Sequence, residues 1–452
     1  MAVPAPHRVD AHAELRGASM SRFHWMLTGV VLLITIFDGY DTLNASYVIH
    51  YVVKPWGLSH SQTGFLVSAG LIGFAVGALA HGPIADRYGR RPVLVGALFL
   101  AGAGSLLTAV LADSFVSFVA LRGFTGLGLG VLMPLGTAYI NEFAPDAARS
   151  RMVSIAQSGY AFGGVFASGV GIWLTPAHGW QILYWVGGAS VPLAIALWWL
   201  LPESVEYLAM RDRQAEAIAA LRRIRRDRVY EGAALAEPRH ERARTGEIVR
   251  SLLSSRYQRT TIILWICAFM VLFDIYGLAG WMPTLMEARG SGFGESFSFG
   301  ALLQIGGIAG GLCVALLDDG GRADLRRGMI GLQVVSVAAV ILVALVDTTA
   351  TNMILVLVAG FGIIGGQFVL NNLCARSYPT NMRGTGVGAM FGVGRVGGIL
   401  GPYVGGWLLG WFDGDNAVLF YAVAIAAAVA ALSMFALGGQ KSAVPVPAEQ
   451  SA

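Results

Sequence analysis

Charged side chains are scarce in this chain of 452 residues, of which only 13% are Asp, Glu, Lys or Arg. An average soluble chain carries about 25%. Hydrophobic residues make up 55% and the mean hydropathy is +0.63. These values exclude an ordinary soluble domain and indicate a chain that lies largely within a lipid bilayer. The net charge of +4 is spread over short loops, so we expect no nucleic-acid partner.

Cysteine is equally rare. Its three occurrences, Cys267, Cys313 and Cys374, lie in apolar segments without metal-ligand spacing. We therefore expect neither a disulfide framework nor a metal site. The first 22 residues lack an apolar core with a cleavage site, so no removable signal peptide is expected. The sequence also lacks a nucleotide-binding loop and a Ser-His-Asp set, which argues against an enzyme and against a cofactor.

Twelve apolar segments of about bilayer length predict an all-α membrane protein with twelve transmembrane helices in two six-helix halves. The predicted spans are 24–50, 61–82, 92–111, 115–139, 150–174, 180–200, 259–285, 297–317, 329–346, 352–376, 383–411 and 416–437. The predicted organisation is an N-terminal tail (1–23), a first bundle (24–201), a linker (202–258), a second bundle (259–438) and a C-terminal tail (439–452). In the linker, 204–228 and 241–254 resemble short amphipathic surface helices within a solvated segment.

The distribution of Lys and Arg predicts the orientation, because cytoplasmic loops carry an excess of basic residues. With a cytoplasmic N-terminus, and leaving out the long linker, the inner segments hold 14 basic residues and the outer loops two, Lys54 and Arg289. The inner residues are Arg8, Arg16, Arg22, Arg87, Arg90, Arg91, Arg149, Arg151, Arg322, Arg326, Arg327, Arg376, Arg383 and Lys441. Both termini and the linker are therefore expected to be cytoplasmic.

Two aspartates, Asp38 and Asp41, lie within the first apolar segment. A carboxylate at membrane depth costs about 3 kcal/mol even on the milder insertion scale, so both should face a cavity or a partner. Their spacing puts them on one helix face. Burial and mutual repulsion both favour protonation, so the pair could exchange a proton near neutral pH. We predict a proton-coupling site; the alternative is a structural pair held by a buried arginine.

Span 4 contains Arg122, followed by glycines at 126, 128 and 130 that should let another helix approach closely. Arg122 lies roughly 10 Å, and Asp41 roughly 13 Å, from the outer ends of their spans at 1.5 Å per residue. The similar depths predict that Arg122 pairs with Asp41 or Asp38. An arginine that moves between an acid and another partner could switch proton affinity.

The loop between spans 2 and 3 reads Gly82-Pro-Ile-Ala-Asp86-Arg87-Tyr-Gly89-Arg90-Arg91. It closely resembles the loop signature of the major facilitator superfamily. The loop after span 8, 317–327, resembles a degenerate copy in the second half, as parallel six-span halves would give. Such alternating charges can form a movable ion-pair cluster at helix ends. The predicted gate residues are Asp86, Arg87, Arg90, Arg91, Glu142, Asp319 and Arg322, with Glu142 as a partner of Arg90 or Arg91.

Further motifs resemble one branch of this superfamily, the bacterial aromatic acid:proton symporters. Span 1 carries Asp38-Gly-Tyr-Asp41, span 7 ends in Trp281-Met-Pro283-Thr-Leu285, and span 11 contains Gly392-Val-Gly394-Arg395-Val-Gly397. The resemblance covers nearly the whole chain. It implies a monomeric carrier in the bacterial inner membrane that imports a small aromatic or similar carboxylate with protons by alternating access.

Arg395 is predicted to lie near the bilayer midplane, where such carriers bind substrate between the halves. A guanidinium there can hold a carboxylate through two parallel hydrogen bonds; the alternative is a structural pair with Asp274 of span 7. Other candidate substrate contacts are polar or aromatic residues at membrane depth. They are Tyr40, Tyr160, Tyr276, Trp281, Gln304, Gln367, Asn371 and Asn372.

Two other functions remain open at this stage. The same fold and loops would suit an exporter, or a proton-coupled carrier of a non-aromatic organic anion. A membrane sensor that binds without transport is disfavoured because the longest polar stretch is the linker 202–258, which is too short for an appended signalling domain.

Overall fold

The computed structural model describes residues 8–225, 250–317 and 324–437, with Arg228, Tyr230 and Ala234–Leu235. Within this part, twelve helical segments of about bilayer length follow one another. They are α1 (Arg22–Val52), α2 (His60–Tyr88), α3 (Arg90–Leu111), α4 (Phe115–Phe143), α5 (Arg149–Trp173), α6 (Gln181–Leu200, interrupted at Gly188–Ala189), α7 (Gln258–Ala288), α8 (Phe293–Leu317), α9 (Leu325–Leu345), α10 (Thr349–Ser377), α11 (Thr380–Trp411) and α12 (Ala417–Ala436). They correspond one to one with the predicted spans.

Eleven helices among the described residues are long and apolar enough to cross a membrane by themselves. The twelfth segment, α5, has 25 residues but carries Arg151, Gln157 and several serines and glycines. These residues lower its hydropathy, while its position between α1 and α8 keeps it inside the bundle. Several helices extend past the predicted spans; α2 continues to Tyr88, six residues beyond the predicted end. Backbone hydrogen bonding does not stop where apolar sequence ends, so hydropathy alone underestimates helix length.

The two halves pack in the same way. In the first half, α1 packs against α5, α2 against α4, and α3 against α4. In the second half, α7 packs against α11, α8 against α10, and α9 against α10. The two largest interfaces between the halves are α2 with α11 and α5 with α8. They are equivalent, because α2 corresponds to α8 and α11 corresponds to α5 when the first half is matched to the second. The chain is therefore built from two equivalent six-helix units.

Close approach of α4 to its neighbours depends on the glycines predicted for this purpose. A Cβ on Gly126 would overlap the carbonyl oxygen of Gly70, and one on Gly130 would overlap that of Phe74. A Cβ on Gly128 would lie 2.6 Å from the carbonyl oxygen of Ala97 on α3. The prediction of close helix contact at this stripe is confirmed.

Gly130→Ala is expected to lower the thermal stability of the detergent-solubilised protein. The added methyl group meets backbone, which cannot turn aside, and overpacking of this kind costs about 1–3 kcal/mol. Gly96→Ala on α3 is the control, because nothing lies within 4 Å of the position that its Cβ would take, and it should be neutral or slightly stabilising. Equal melting temperatures for the two variants would contradict the close-packing argument.

The linker docks against the N-terminal tail through the apolar side chains of its short helices. Its helices Val205–Met210 and Gln214–Ile224 are present, whereas 241–249 lies outside the described residues. Leu221 and Ile224 are buried in one cluster with Ala11 and Leu15 of the N-terminal tail. The tail contributes a short helix, Ala11–Arg16, and a two-residue strand, Arg8–Val9, parallel to Ala234–Leu235. Apolar side chains on one face of each short element explain this docking.

Ion pairs fix the same tail to the linker. The Glu14 carboxylate lies 3.5 Å from Arg225 and 3.2 Å from Arg228, and it accepts a hydrogen bond from the Tyr230 hydroxyl at 3.0 Å. The tail also contacts the loop after α4, where the Asp146 amide donates to the Arg16 carbonyl at 3.1 Å. Tail, linker and the Asp86–Arg91 loop therefore share one end of the molecule, called the Asp86 end below.

The halves meet at the opposite end, called the His60 end. There the Ser68 hydroxyl on α2 donates to the Ile399 carbonyl on α11 at 2.7 Å. The Ser168 hydroxyl on α5 donates to the Phe297 carbonyl on α8, also at 2.7 Å. The described contacts between the halves extend from this end to the level of Phe74 and Arg395, about halfway along their helices. The structure is thus closed at the His60 end.

Candidate functional site

Asp38 is fully buried near the middle of α1. One carboxylate oxygen lies 3.5 Å from the Thr42 hydroxyl, at the outer limit of a hydrogen bond, and Oδ2 has no partner. Arg395 on α11 and Asp41 are the charged groups that act on it electrostatically. Asp38 is therefore a buried acid with one long hydrogen bond and with an arginine of the other half among the charges that act on it.

Asp41 faces the interior of the first half. Its Oδ1 accepts hydrogen bonds from Asn44 at 3.1 Å and from Ser105 on α3 at 3.0 Å. Gly187 of α6 packs against the same carboxylate, where an added Cβ would lie 2.7 Å from Oδ1. The two aspartates are close enough to repel each other, yet they have different neighbours. The predicted pair is therefore two distinct acid sites.

Arg122 contacts Asp41, but through the backbone. Its Nη2 donates to the Asp41 carbonyl oxygen at 2.8 Å, while Nε and Nη1 have no hydrogen-bond partner. The guanidinium lies 5.7 Å from the centre of the Tyr184 ring. The predicted proximity of Arg122 to Asp41 is confirmed, whereas the expected carboxylate–guanidinium pair is not formed in this conformation.

Arg395 is held at the interface of the halves by aromatic residues. Its Nη1 donates to the Tyr276 hydroxyl at 2.6 Å, and its guanidinium stacks on the Phe74 ring at 3.9 Å. The Tyr160 hydroxyl on α5 donates to the Tyr276 hydroxyl at 3.1 Å. Arg395 as a residue is partly exposed, and the described residues form one hydrogen bond with its guanidinium, the bond to Tyr276.

The alternative of a structural pair between Arg395 and Asp274 is wrong in this conformation. Asp274 is fully buried, and neither carboxylate oxygen has a hydrogen-bond partner. It precedes Tyr276 by two residues on α7, which places the two side chains on nearly opposite helix faces. Arg395 follows the Tyr276 face, so it cannot reach Asp274.

Three predicted amide residues have different surroundings. Gln304 on α8 is 5% exposed, makes no hydrogen bond within the described protein, and packs against Gly164 of α5. Gln367 donates to Asn371 on α10 at 2.7 Å, so these two amides partly satisfy each other. Gln304 lies at the α5–α8 interface, one helical turn from the position of Tyr160 on α5.

Two predicted aromatic contacts do not join this group. The Tyr40 hydroxyl donates to the Leu183 carbonyl at 2.8 Å, which directs its ring into the first half. Trp281 is 2% exposed and donates from Nε1 to the Pro402 carbonyl at 2.9 Å, within the α7–α11 contact. Both rings pack between helices in this structure, as aromatic residues in membrane helices commonly do. The helical periodicity of the sequence could not distinguish these two packing residues from Tyr160 and Tyr276, which lie beside Arg395.

The charged loop forms an ion-pair cluster at the Asp86 end, as predicted. Arg90 lies 2.9 Å from Asp86 and 2.9 Å from Glu142 of α4, which joins α2, α3 and α4. Arg91 stacks on Trp198 of α6, and Arg87 is exposed beside Tyr88. The predicted gate residues of the second half, Asp319 and Arg322, lie outside the described residues.

Glu203 is a member of this cluster that sequence reasoning missed. Its carboxylate accepts hydrogen bonds from the amides of Arg90, Arg91 and Ser204 at 2.9, 3.2 and 2.8 Å. A carboxylate at the first turn of α3 is favourable because helix N-termini carry free N–H groups and a partial positive charge. The sequence Pro202-Glu203-Ser204 was the only local sign of this residue. Glu203 is so far from α3 along the chain that no local pattern could show the contact.

Comparison with known proteins agrees with this architecture. The family model described as Major Facilitator Superfamily matches residues 31–402. The chain is similar in fold to the crystal structure of a D-xylose-proton symporter, with a TM-score of 0.70, 20% identity, and coverage of 91% of this chain and 97% of that one. A bacterial homolog of the human lysosomal transporter Spinster gives a TM-score of 0.71 at 16% identity, covering 92% and 98%.

Curated relatives extend the similarity to the sequence. The chain is 35% identical to the 4-hydroxybenzoate transporter PcaK of Pseudomonas aeruginosa over 90% of this chain and 91% of that protein. It is 34% identical to the gallate transporter of Pseudomonas putida over 96% of each. It is 31% identical to the gentisate transporter of Corynebacterium glutamicum over 87% and 84%. The resemblance to aromatic acid transporters is confirmed, and the chain belongs to the Major Facilitator Superfamily.

Proposed function

We propose that the protein imports an aromatic or similar small carboxylate together with protons, by alternating access. The observation that carries this proposal is the position of Arg395, an arginine between the two halves that bonds to Tyr276 and has a buried acid, Asp38, within its electrostatic reach. A guanidinium can bind a carboxylate in a two-bond geometry. A buried acid beside it can respond to that binding by changing its proton affinity.

The substrate class rests on the relatives and on the aromatic side chains around Arg395. Those relatives are named for 4-hydroxybenzoate, gallate and gentisate, each a hydroxylated aromatic carboxylate. Tyr160 and Tyr276 lie beside the guanidinium and offer ring faces and hydroxyls to an aromatic acid. The unpartnered amide of Gln304, with Gln367 and Asn371 further along, could bind ring hydroxyls.

Coupling follows from competition for Arg395. A substrate carboxylate that binds the guanidinium neutralises the cation near Asp38, which makes the ionised form of this buried acid less favourable and promotes protonation. Entry of an anion against a negative interior costs about 2.3 kcal/mol per 100 mV. One proton cancels that charge, and each pH unit contributes about 1.4 kcal/mol. In this scheme Asp41 and Arg122 form a second acid site that tunes the first or carries a second proton.

The basic-residue bias supports a cytoplasmic Asp86 end and cytoplasmic termini, with the protein in the inner membrane of a bacterial cell. Closure at the His60 end then makes this structure one that is shut toward the outside. An exporter, or a carrier of a non-aromatic anion, would share these features. Uptake of radiolabelled 4-hydroxybenzoate into proteoliposomes with an imposed pH gradient tests the proposal. No pH-dependent accumulation of any hydroxybenzoate would refute it.

The ion-pair cluster is proposed as a gate element. We expect Asp86→Asn and Arg90→Ala to slow turnover severalfold while substrate affinity stays within about twofold, because the cluster lies at a helix end and biases the balance of conformations. Initial uptake rates and equilibrium binding, measured on the same preparation, separate the two effects. Asp113→Asn, at an exposed loop of the opposite end, is the control. Equal loss of rate and affinity would count against a gate.

A further inference from the structure

An ion pair joins the first helices of the two halves at the His60 end. His50 lies in the last turn of α1, and its Nδ1 is 2.7 Å from Oε2 of Glu287 near the end of α7. Among the ion pairs formed by the described residues, this one crosses between the halves. Its side chains are 29% and 37% exposed, so they are partly shielded from solvent.

Aromatic residues build the rest of this contact. The His50 ring makes edge contacts with Phe293 and Phe297 of α8, at centroid distances of 5.1 and 6.1 Å. Phe297 also packs on Tyr47 at 4.9 Å, and its carbonyl accepts the Ser168 hydrogen bond. The imidazole therefore packs among the aromatic side chains that fill the space between α1, α5, α7 and α8 at this end.

Neighbouring charged and titratable groups are engaged elsewhere. Arg289 donates to carbonyl oxygens of α9, including Ala344 at 2.7 Å. Glu295 of α8 accepts from the Gly292 amide at 3.1 Å. The Tyr51 hydroxyl bonds to that of Thr175 at 2.7 Å. Glu287 is thus the charged group that faces His50.

We propose that His50 and Glu287 form an outer latch that holds the His60 end closed and separates when that end opens. The proposal rests on the alternating access proposed above, but not on the identity of the substrate. The His50 Nδ1 and the Glu287 Oε2 lie 2.7 Å apart across the two halves, so this contact must break when the His60 end opens. A charge-assisted hydrogen bond is about twice as strong as a neutral one.

The test measures opening directly. Ser168→Cys, placed where the halves touch, reports separation at the His60 end in a chain whose Cys267, Cys313 and Cys374 are replaced by alanine. A membrane-impermeant maleimide is applied from outside. Each rate is divided by that of Ala350→Cys, an exposed position at the same end, to correct for differences in reagent delivery between preparations.

We expect His50→Gln and Glu287→Gln to raise the normalised labelling rate about fivefold over that of the otherwise unchanged protein, as the loss of a partly exposed ion pair would give. His60→Gln and Glu295→Gln, at the same end but outside the pair, should label as the unchanged protein does.

Exchange of the two residues, His50→Glu with Glu287→His, should restore slow labelling, which would attribute the faster labelling of the single variants to loss of the pair. Labelling by both single variants at the unchanged rate would overturn the latch. If the latch variants label faster while no aromatic carboxylate is transported, the latch stands and the substrate assignment fails.

Discussion

Arg395→Lys is expected to abolish concentrative uptake of 4-hydroxybenzoate almost as completely as Arg395→Ala. The guanidinium is oriented by the Tyr276 hydroxyl at 2.6 Å and by the Phe74 ring at 3.9 Å. Lysine keeps the charge but lacks both the planar fork and the stacking surface. Loss of two charge-assisted hydrogen bonds should weaken binding at least about a hundredfold. Calorimetric titration with 4-hydroxybenzoate measures this loss.

Two comparisons make that result specific. The neutral amide of the same acid should bind weakly to the unchanged protein and should distinguish little between it and the variants. Arg259→Lys, at the start of α7 where the side chain contacts the Ala436 carbonyl, should leave binding unchanged. Asp274→Asn should not rescue Arg395→Ala, because Asp274 lies on the face of α7 that is turned away from Arg395. Rescue would show that Arg395 serves as a scaffold, and the anion site would then have to be sought at Arg122.

Asp41→Asn is expected to abolish proton-driven accumulation, and Asp38→Asn to reduce it strongly or abolish it. Asparagine keeps the shape of each side chain but cannot carry a proton. A pH difference of one unit supports about tenfold accumulation per coupled proton. In proteoliposomes with that gradient, the double variant should reach only equal concentrations inside and outside. Full accumulation by the double variant would refute the proton-site interpretation.

The two single variants should differ in a second measurement. Asp38 is in electrostatic reach of Arg395, whereas Asp41 is bonded to Ser105 and Asn44 inside the first half. Asp38→Asn should therefore change the pH dependence of substrate binding, and Asp41→Asn should change it less. Asp113→Asn, in an exposed loop, is the control for removal of a carboxylate and should accumulate normally.

The sequence predicted the membrane helices well because hydrophobic length has a direct physical cause in bilayer thickness. Charged residues within those helices, such as Asp38, Arg122 and Arg395, could also be recognised as candidate functional residues, because a charge at membrane depth is costly unless it has a function or a partner. Partners were harder to predict. Depth placed Arg122 near Asp41, but it could not show that the guanidinium contacts the backbone carbonyl. Asp274 and Arg395 have similar depth yet face different directions, which only the helix rotations reveal.

Contacts that join distant parts of the chain were missed for the same reason. Nothing in local pattern links Glu203 to the first turn of α3, or Phe74 of the first half to Arg395 of the second. The docking of the N-terminal tail on the linker was missed because hydropathy treats both as polar. Their few apolar residues, among them Leu15 and Leu221, become informative only when the elements are brought together.

That docking also determines where the polypeptide can be divided. The linker is anchored to the first half as far as Leu235, and Leu252, whose carbonyl accepts from the Thr261 hydroxyl at 2.9 Å, already belongs to the core of the second half. Along the chain, residues 236–251 separate these two described anchors. Two separately translated fragments split within 236–249 would each retain the described anchor on their own side. A split closer to Pro202 would instead remove the docking partner of the N-terminal tail from its fragment.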